Sequence, residues 1–164
     1  MKLYTTIFFI AILSTGFMSG IFFTWSNAVT PGIGKLENMT YLSSLQSMNC
    51  VILNPLFYIS FGLPVISLLI LTVIGYRYED LINNRLILTA TVIYFFGVFL
   101  VTLLGNIPLN KLLDQSDLAS ISAHNADQLR ATIENKWNQF NLIRTLSSLS
   151  SFIMLLITCF NKIN

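Results

Sequence analysis

The chain has 164 residues, 54% of them hydrophobic and 10% charged, with 13 phenylalanines and a formal net charge of +2. A water-soluble domain of this size spends about a quarter of its residues on charge, so too little polar surface remains here to coat a water-facing globule. Nine basic residues are scattered among seven acidic ones without forming a basic block, which argues against nucleic acid as a partner.

Uncharged apolar runs point instead to a lipid bilayer as solvent. Backbone groups find no partners in hydrocarbon, so uninterrupted runs of this kind must be helices. The predicted fold is all-α: an integral membrane four-helix bundle, a single domain over residues 1–164, with an additional interfacial or extramembrane helix and spans at about 3–25, 56–76, 86–104 and 140–160.

The first run, Leu3 to Trp25, carries no charge and is long enough to cross about 30 Å of hydrocarbon at 1.5 Å per residue. Its apolar character continues through Ile21, Phe22 and Phe23, past the small residues Ser19 and Gly20, as expected of a retained helix rather than a cleaved signal peptide. Gly16 and Gly20, with Ala11, Thr15 and Ser19, make a small-residue stripe suited to a close helix neighbour. Pro31, Gly32 and Gly34 then break the chain. Leu36, Met39, Leu42, Leu45, Met48 and Ile52 recur at helical spacing, which predicts a short amphipathic helix at the interface.

Leu56 to Tyr76 forms the second span, with a kink expected at Pro64 and eased by Gly62. Arg77 to Arg85, a short charged connection, makes an antiparallel hairpin with the third span, Leu86 to Leu104. Asn106 to Gln139 is polar and extramembrane, helix-compatible from Asp117 to Trp137. It holds the only histidine, His124, without metal-ligand spacing around it, and no glycine-rich phosphate loop or hydrolase elbow occurs in the chain. The last span runs from Phe140 to Phe160. Its Ser147, Ser148, Ser150 and Ser151 are expected to bond to backbone carbonyls or across to another helix. Cys50 and Cys159 fall on opposite membrane faces, so no disulfide is expected and each reads as a small apolar filler.

With four spans, both termini share one face. Lys2, Arg77, Arg85 and Lys162 lie on it, while Lys35, Lys111, Arg130, Lys136 and Arg144 lie on the other. The count discriminates little, and the first helix usually dominates, which gives both termini as cytoplasmic, in a bacterial inner (plasma) membrane.

The unusual polar residues gather on the other face: Ser26 and Asn27 close the first span, Gln46, Asn49 and Asn54 precede the second, Asn106 and Asn110 follow the third, and Trp137, Asn141 and Arg144 open the fourth. Amides near membrane depth need hydrogen-bond partners, so a shared network or pocket is expected. Arg144 sits about one helical turn inside an apolar run, where a guanidinium must snorkel, pair with an anion or line a wet cavity. Its donors suit a carboxylate, an enolate-like oxygen or a lipid phosphate.

These residues carry a resemblance to the anthrone oxygenase-like family of small four-helix membrane proteins. It covers nearly the whole chain: Gly20 to Asn27 (GIFFTWSN) with Pro31 and Gly32; Gln46 and Asn49 before Asn54 and Pro55; Asn106, Pro108 and Asn110 (NIPLN); and Trp137 through Asn141, Arg144 and Thr145. The resemblance implies a four-helix bundle and, for its characterised members, oxygenation of an anthrone to an anthraquinone with molecular oxygen. The family's fourth-span motif carries a histidine where this chain has Leu142, so an imidazole is missing. On this likeness Arg144 and Asn141 are the candidate catalytic residues, with Asn27, Gln46, Asn49, Asn54, Asn106, Asn110, Trp25 and Trp137 as candidate substrate-binding residues. The sequence implies no metal or other cofactor. Its partners are the lipid bilayer and a small aromatic or quinone-like ligand, and assembly into an oligomer is left open. The competing reading is a non-enzymatic lipid-binding or accessory membrane protein. A transporter fits less well, because no charged relay lies deep in the spans.

Overall fold

The computed structural model describes residues 2–161. Among them are five helices and no strand: α1 (Lys2–Ile33), α2 (Asn38–Ile52), α3 (Pro55–Tyr78), α4 (Leu81–Asp114) and α5 (Ala123–Asn161). All but α2 are long and apolar enough to cross a membrane. α1 packs between α3 and α5, and α4 closes the ring on the far side by packing against the same two helices. The expected hairpin of α3 and α4 turns at Glu79, and Asp80 caps α4 by accepting from the Asn83 amide at 2.8 Å. Lys162, counted above among the basic residues of that face, lies outside the described residues.

Two apolar cores result. One runs down the bundle through Phe8, Met18, Leu68, Ile87, Tyr94 and Leu155. The other, formed by Tyr41, Leu42, Leu45, Leu113, Ile133 and Trp137, seats α2 against the N-terminal half of α5 and the end of α4. The buried face of α2 is therefore Tyr41, Leu42, Leu45 and Asn49. Leu36 and Met39, expected on its apolar stripe, are exposed. The buried face is the one that packs against α4 and α5. The seat is latched by Arg130 on α5, which donates to the carbonyls of Gly34 and Leu36 at 2.7 Å each and pairs with Glu134 at 2.7 Å.

The structure corrects the expected breaks at Pro31 and after Leu104. α1 passes through a π-helical turn at Trp25–Val29 and resumes at Thr30, so Pro31 occupies the first turn of the new α-helical segment, where its missing N–H costs little. α4 does the same. Its π turns at Phe95–Leu100 and Thr102–Asn106 precede a segment with Pro108 in its first turn, which carries the helix on to Asp114. Both prolines are restarts, not stops. Of the segment expected to be extramembrane, residues 106–114 continue α4 and residues 123–139 are the start of α5, which is continuous from Ala123.

Small residues set the spacing of α4 against α5. A Cβ on Gly97 would collide with the side chain of Ser147, and one on Gly105 would meet the Phe140 ring at 2.8 Å. Within the expected stripe on α1, Gly16 faces Phe152 in the same way, whereas Gly20 faces open space. The α5 serines bond in both anticipated ways: Ser148 returns to the Thr145 carbonyl at 3.1 Å, and Ser151 reaches across to the Ala90 carbonyl of α4. Both cysteines are free. Cys50 is exposed rather than a buried filler.

Candidate functional site

A cavity of about 250 Å³ lies where the end of α1, the α2–α3 junction, the last third of α4 and the middle of α5 meet. Each helix supplies its polar residues by simple periodicity. On α4, Thr102, Asn106 and Asn110 stand at i, i+4 and i+8 and share a face, as do Trp137, Asn141 and Arg144 on α5. Aromatic rings form the remaining wall, with Phe22 and Trp25 from α1 and Phe57, Tyr58 and Phe61 from α3. Trp25 and Trp137 meet with ring centroids 5.2 Å apart, and Trp137 Nε1 donates to Asn110 Oδ1 at 2.8 Å, which fixes the indole.

Arg144 dominates the electrostatics. Only 6% exposed, it lies 4.6 Å below the centroid of Phe22 and 5.5 Å from that of Trp137. Its Nη2 donates to Asn141 Oδ1 at 2.7 Å and its Nη1 makes a long contact of 3.5 Å with Thr102 Oγ1. Among the described residues no carboxylate lies within ion-pair distance of it. Burying an unpaired guanidinium costs several kcal/mol, of which cation–π contacts return only about 1–2.

Asn141 orients this group. Its Nδ2 donates to Ser26 Oγ at 2.7 Å and to the Phe22 carbonyl at 3.1 Å, and Ser26 in turn bonds Thr145 Oγ1 at 3.0 Å. The π turn of α1 thus serves as the anchor for the amide that holds Arg144, a common use of such bulges at functional sites. Three polar atoms on the cavity lining stay buried without a partner among the described residues: Arg144 Nε, Asn106 Oδ1 and Asn49 Nδ2. Orphaned buried groups of this kind each cost about 1–3 kcal/mol. In a native protein they mark a place where a ligand or water supplies the missing bonds.

Of the residues singled out from sequence, Trp25, Asn49, Asn106, Asn110, Trp137, Asn141 and Arg144 line this cavity. Gln46 lies one turn further out, its Nε2 donating to the Leu113 carbonyl at 2.9 Å, and lines an adjoining chamber. Asn27 and Asn54 are elsewhere. Asn27 is exposed on the outside of the π turn, and the residue beside it, Ser26, makes the contact to the site. Asn54 caps α3, accepting from the Phe57 amide at 3.0 Å and donating to the Val51 carbonyl. Thr102 was missed in the sequence, although its spacing four residues before Asn106 on an apolar helix was a usable signal. Phe22, Phe57 and Phe61 gave no signal among so many phenylalanines. Leu142, where the resemblance leads one to expect a histidine, is half exposed and outside the cavity lining.

The family model described as anthrone oxygenase matches residues 55–154, more than half of the chain, and the chain belongs to that family. The matched segment spans α3, α4 and most of α5, including Asn106, Asn110, Asn141 and Arg144. No curated protein and no solved structure matches the chain.

Proposed function

We propose that this member of the anthrone oxygenase family binds a small, apolar, aromatic or quinone-like molecule against Arg144 and oxygenates it with molecular oxygen. The observation that carries this reading is the unpaired guanidinium buried at an aromatic-walled cavity. A flat ring system replaces lost dispersion contacts along Phe22, Trp25 and Trp137, and an oxygen that becomes anionic during reaction supplies the charge Arg144 lacks. The cavity and the adjoining chamber together reach the usual size range of ligand pockets.

For an anthrone, the methylene carbon loses a proton and the electron pair delocalises onto the ring oxygen. Arg144 stabilises that oxyanion in a low-dielectric site, where preorganised charge contributes most. The carbanion reduces oxygen, and recombination forms a carbon–oxygen bond as a hydroperoxide. Loss of water then leaves a carbonyl, so that one methylene and one O₂ give one C=O and one H₂O. The cavity lining holds amides, hydroxyls and a guanidinium but no carboxylate or imidazole. In this scheme the proton leaves to water at the outer chamber, and Arg144 acts by making the carbon acid stronger. Asn141 positions Arg144, and Asn106 and Asn49 orient the substrate oxygens.

The reading also puts both termini on the cytoplasmic side of a bacterial plasma membrane, with the site on the opposite face. Lys2, Arg77 and Arg85 support that orientation, and reporter fusions at either terminus test it.

The functional test is native mass spectrometry of the detergent-solubilised protein, with identification of copurifying molecules, alongside oxygen consumption on anthrone, for wild type and Arg144→Leu. A polycyclic phenol or quinone that disappears in the variant, together with loss of oxygen uptake, is the expected result. Bulk phospholipid unchanged by the substitution, with no oxygen uptake by wild type, replaces this reading with lipid binding or an accessory role.

A further inference from the structure

Beside the cavity lies a chamber of about 310 Å³ that shares the lining residues Asn49, Leu53, Tyr58, Ile107 and Asn110 with it and adds Gln46, Cys50, Lys111 and Asp114. Asn49 stands at the junction. It is 8% exposed and its buried Nδ2 has no partner among the described residues, so the lining shared by the two chambers offers an unused donor.

The two charges of the outer chamber differ in their surroundings. Asp114, at the rim, accepts from the Cys50 thiol with a sulfur–oxygen distance of 3.6 Å. Lys111, one turn closer to the cavity, makes no ion pair among the described residues. Arg144 lines the inner cavity and the exposed Lys111 lines the outer chamber beside Asp114, and neither cation is in an ion pair among the described residues. From Thr102, which contacts Arg144, to Lys111 the helix rises by about 12–14 Å at roughly 1.5 Å per residue. Between them lie an apolar lining and the free Asn49 amide.

We infer that the outer chamber is a second subsite, which binds an acidic substituent of the ligand through Lys111 while the ring oxygen lies at Arg144. The ligand class is then a fused-ring ketone or phenol bearing a carboxylate on an outer ring, longer than the inner cavity alone accommodates. Asn49 Nδ2 donates to an oxygen between the two ends. This inference rests on the ring-binding reading above and adds to it the polar end of the molecule.

The chain's two tryptophans, Trp25 and Trp137, both line the inner cavity, so quenching of intrinsic tryptophan fluorescence reports occupancy of that site. The probes are anthrone and an anthrone carrying a carboxyl group on an outer ring, titrated into detergent-solubilised full-length protein. The readout is the ratio of their affinities in wild type, Lys111→Met and Lys136→Met, the last a surface lysine outside both chambers. In wild type the acid binds about fivefold tighter, the size of a partly exposed ion pair. That advantage falls to about one in Lys111→Met and persists in Lys136→Met. A ratio unchanged by Lys111→Met, or lost equally in Lys136→Met, overturns the subsite. If anthrone quenches but the ratio is the same in wild type and Lys111→Met, the subsite fails and the ring-binding reading stands. If neither probe quenches, both fail.

Discussion

Asn141 Oδ1 accepts a 2.7 Å hydrogen bond from Arg144 Nη2, one helical turn further along α5, and this neutral amide stands where a buried guanidinium would ordinarily have a carboxylate. The same amide is held from behind by Ser26 and the Phe22 carbonyl. A neutral partner fixes the direction of Arg144 without cancelling its charge, and the charge remains available to something in the cavity.

Asn141→Asp supplies the missing counter-ion. The variant gains a hydrogen-bonded ion pair with Arg144 but loses the Nδ2 donation to the Phe22 carbonyl, so it is expected to stay folded in detergent with a melting temperature close to that of wild type. It should lose anthrone binding, measured by tryptophan quenching, by tenfold or more, the equivalent of about 1.4 kcal/mol. Undiminished binding in a folded Asn141→Asp protein removes Arg144 as the anion site.

The close approach of α4 and α5 makes a second prediction. Gly97→Ala and Gly105→Ala place a methyl group against Ser147 and the Phe140 ring, and each should destabilise the protein by about 1–3 kcal/mol through overpacking. Gly62→Ala meets no atom within 4 Å. It should be neutral or stabilise by about 0.5 kcal/mol, because alanine is the better helix former. Thermal melts of the three variants in one detergent check the order.

Arg130 is predicted to hold α2 in place. Its guanidinium lies 4.4 Å from the Tyr41 ring centroid, pairs with Glu134 and donates to two loop carbonyls. Arg130→Ala removes all of these together and should cost about 2–3 kcal/mol. Hydrogen exchange should rise first in residues 34–45, with the lower bundle around Leu71 and Leu155 unaffected. Uniform exchange across the chain would show that α2 and the bundle unfold as one unit.

Tyr41 gives a pH dependence. Burial, and secondarily the Glu134 carboxylate, push its phenol up to about 12, against which Arg130 acts only in part. A phenol whose folded pKa is raised keeps its proton in the native state after the unfolded chain has lost it. Stability is therefore constant below pH 10 and falls as pH rises from about 10 to 12. The hydroxyl is also buried without a partner, so Tyr41→Phe should leave stability at pH 7 unchanged or slightly higher. It should also flatten the loss above pH 10. Melting temperature against pH for the two proteins decides it, and identical alkaline profiles would assign the loss to other groups.

Much of the architecture was legible because it depends on local properties. Runs such as Leu56 to Tyr76 announce a span through length and hydrophobicity alone, and the charged connection from Arg77 to Arg85 announces the hairpin. The convergence of polar residues on one face follows from counting four spans. Pro31 misled, because a proline reads locally as a stop, and the polar stretch from Asn106 misled because it reads as the end of the third helix. In each case a π turn precedes a new α-helical segment, with Pro31 or Pro108 in its first turn. The amides could not be sorted by sequence either. Asn49 and Asn54 stand five residues apart, yet one faces the cavity and the other, directly before Pro55, caps a helix.

The sequence by itself determined the solvent, the helical class, the four spans and the end of the bundle that carries polar chemistry, since each is fixed by composition and short-range periodicity. Tertiary structure alone decided that Arg144 is buried without a counter-ion among the described residues, that Asn141 and Ser26 aim it, and that Lys111 lines the chamber beside its cavity. Those facts depend on the rotation and register of one helix against another. Close contacts such as Gly97 with Ser147, and the extra residue of each π turn, set that register, and no single helix records them in its own pattern.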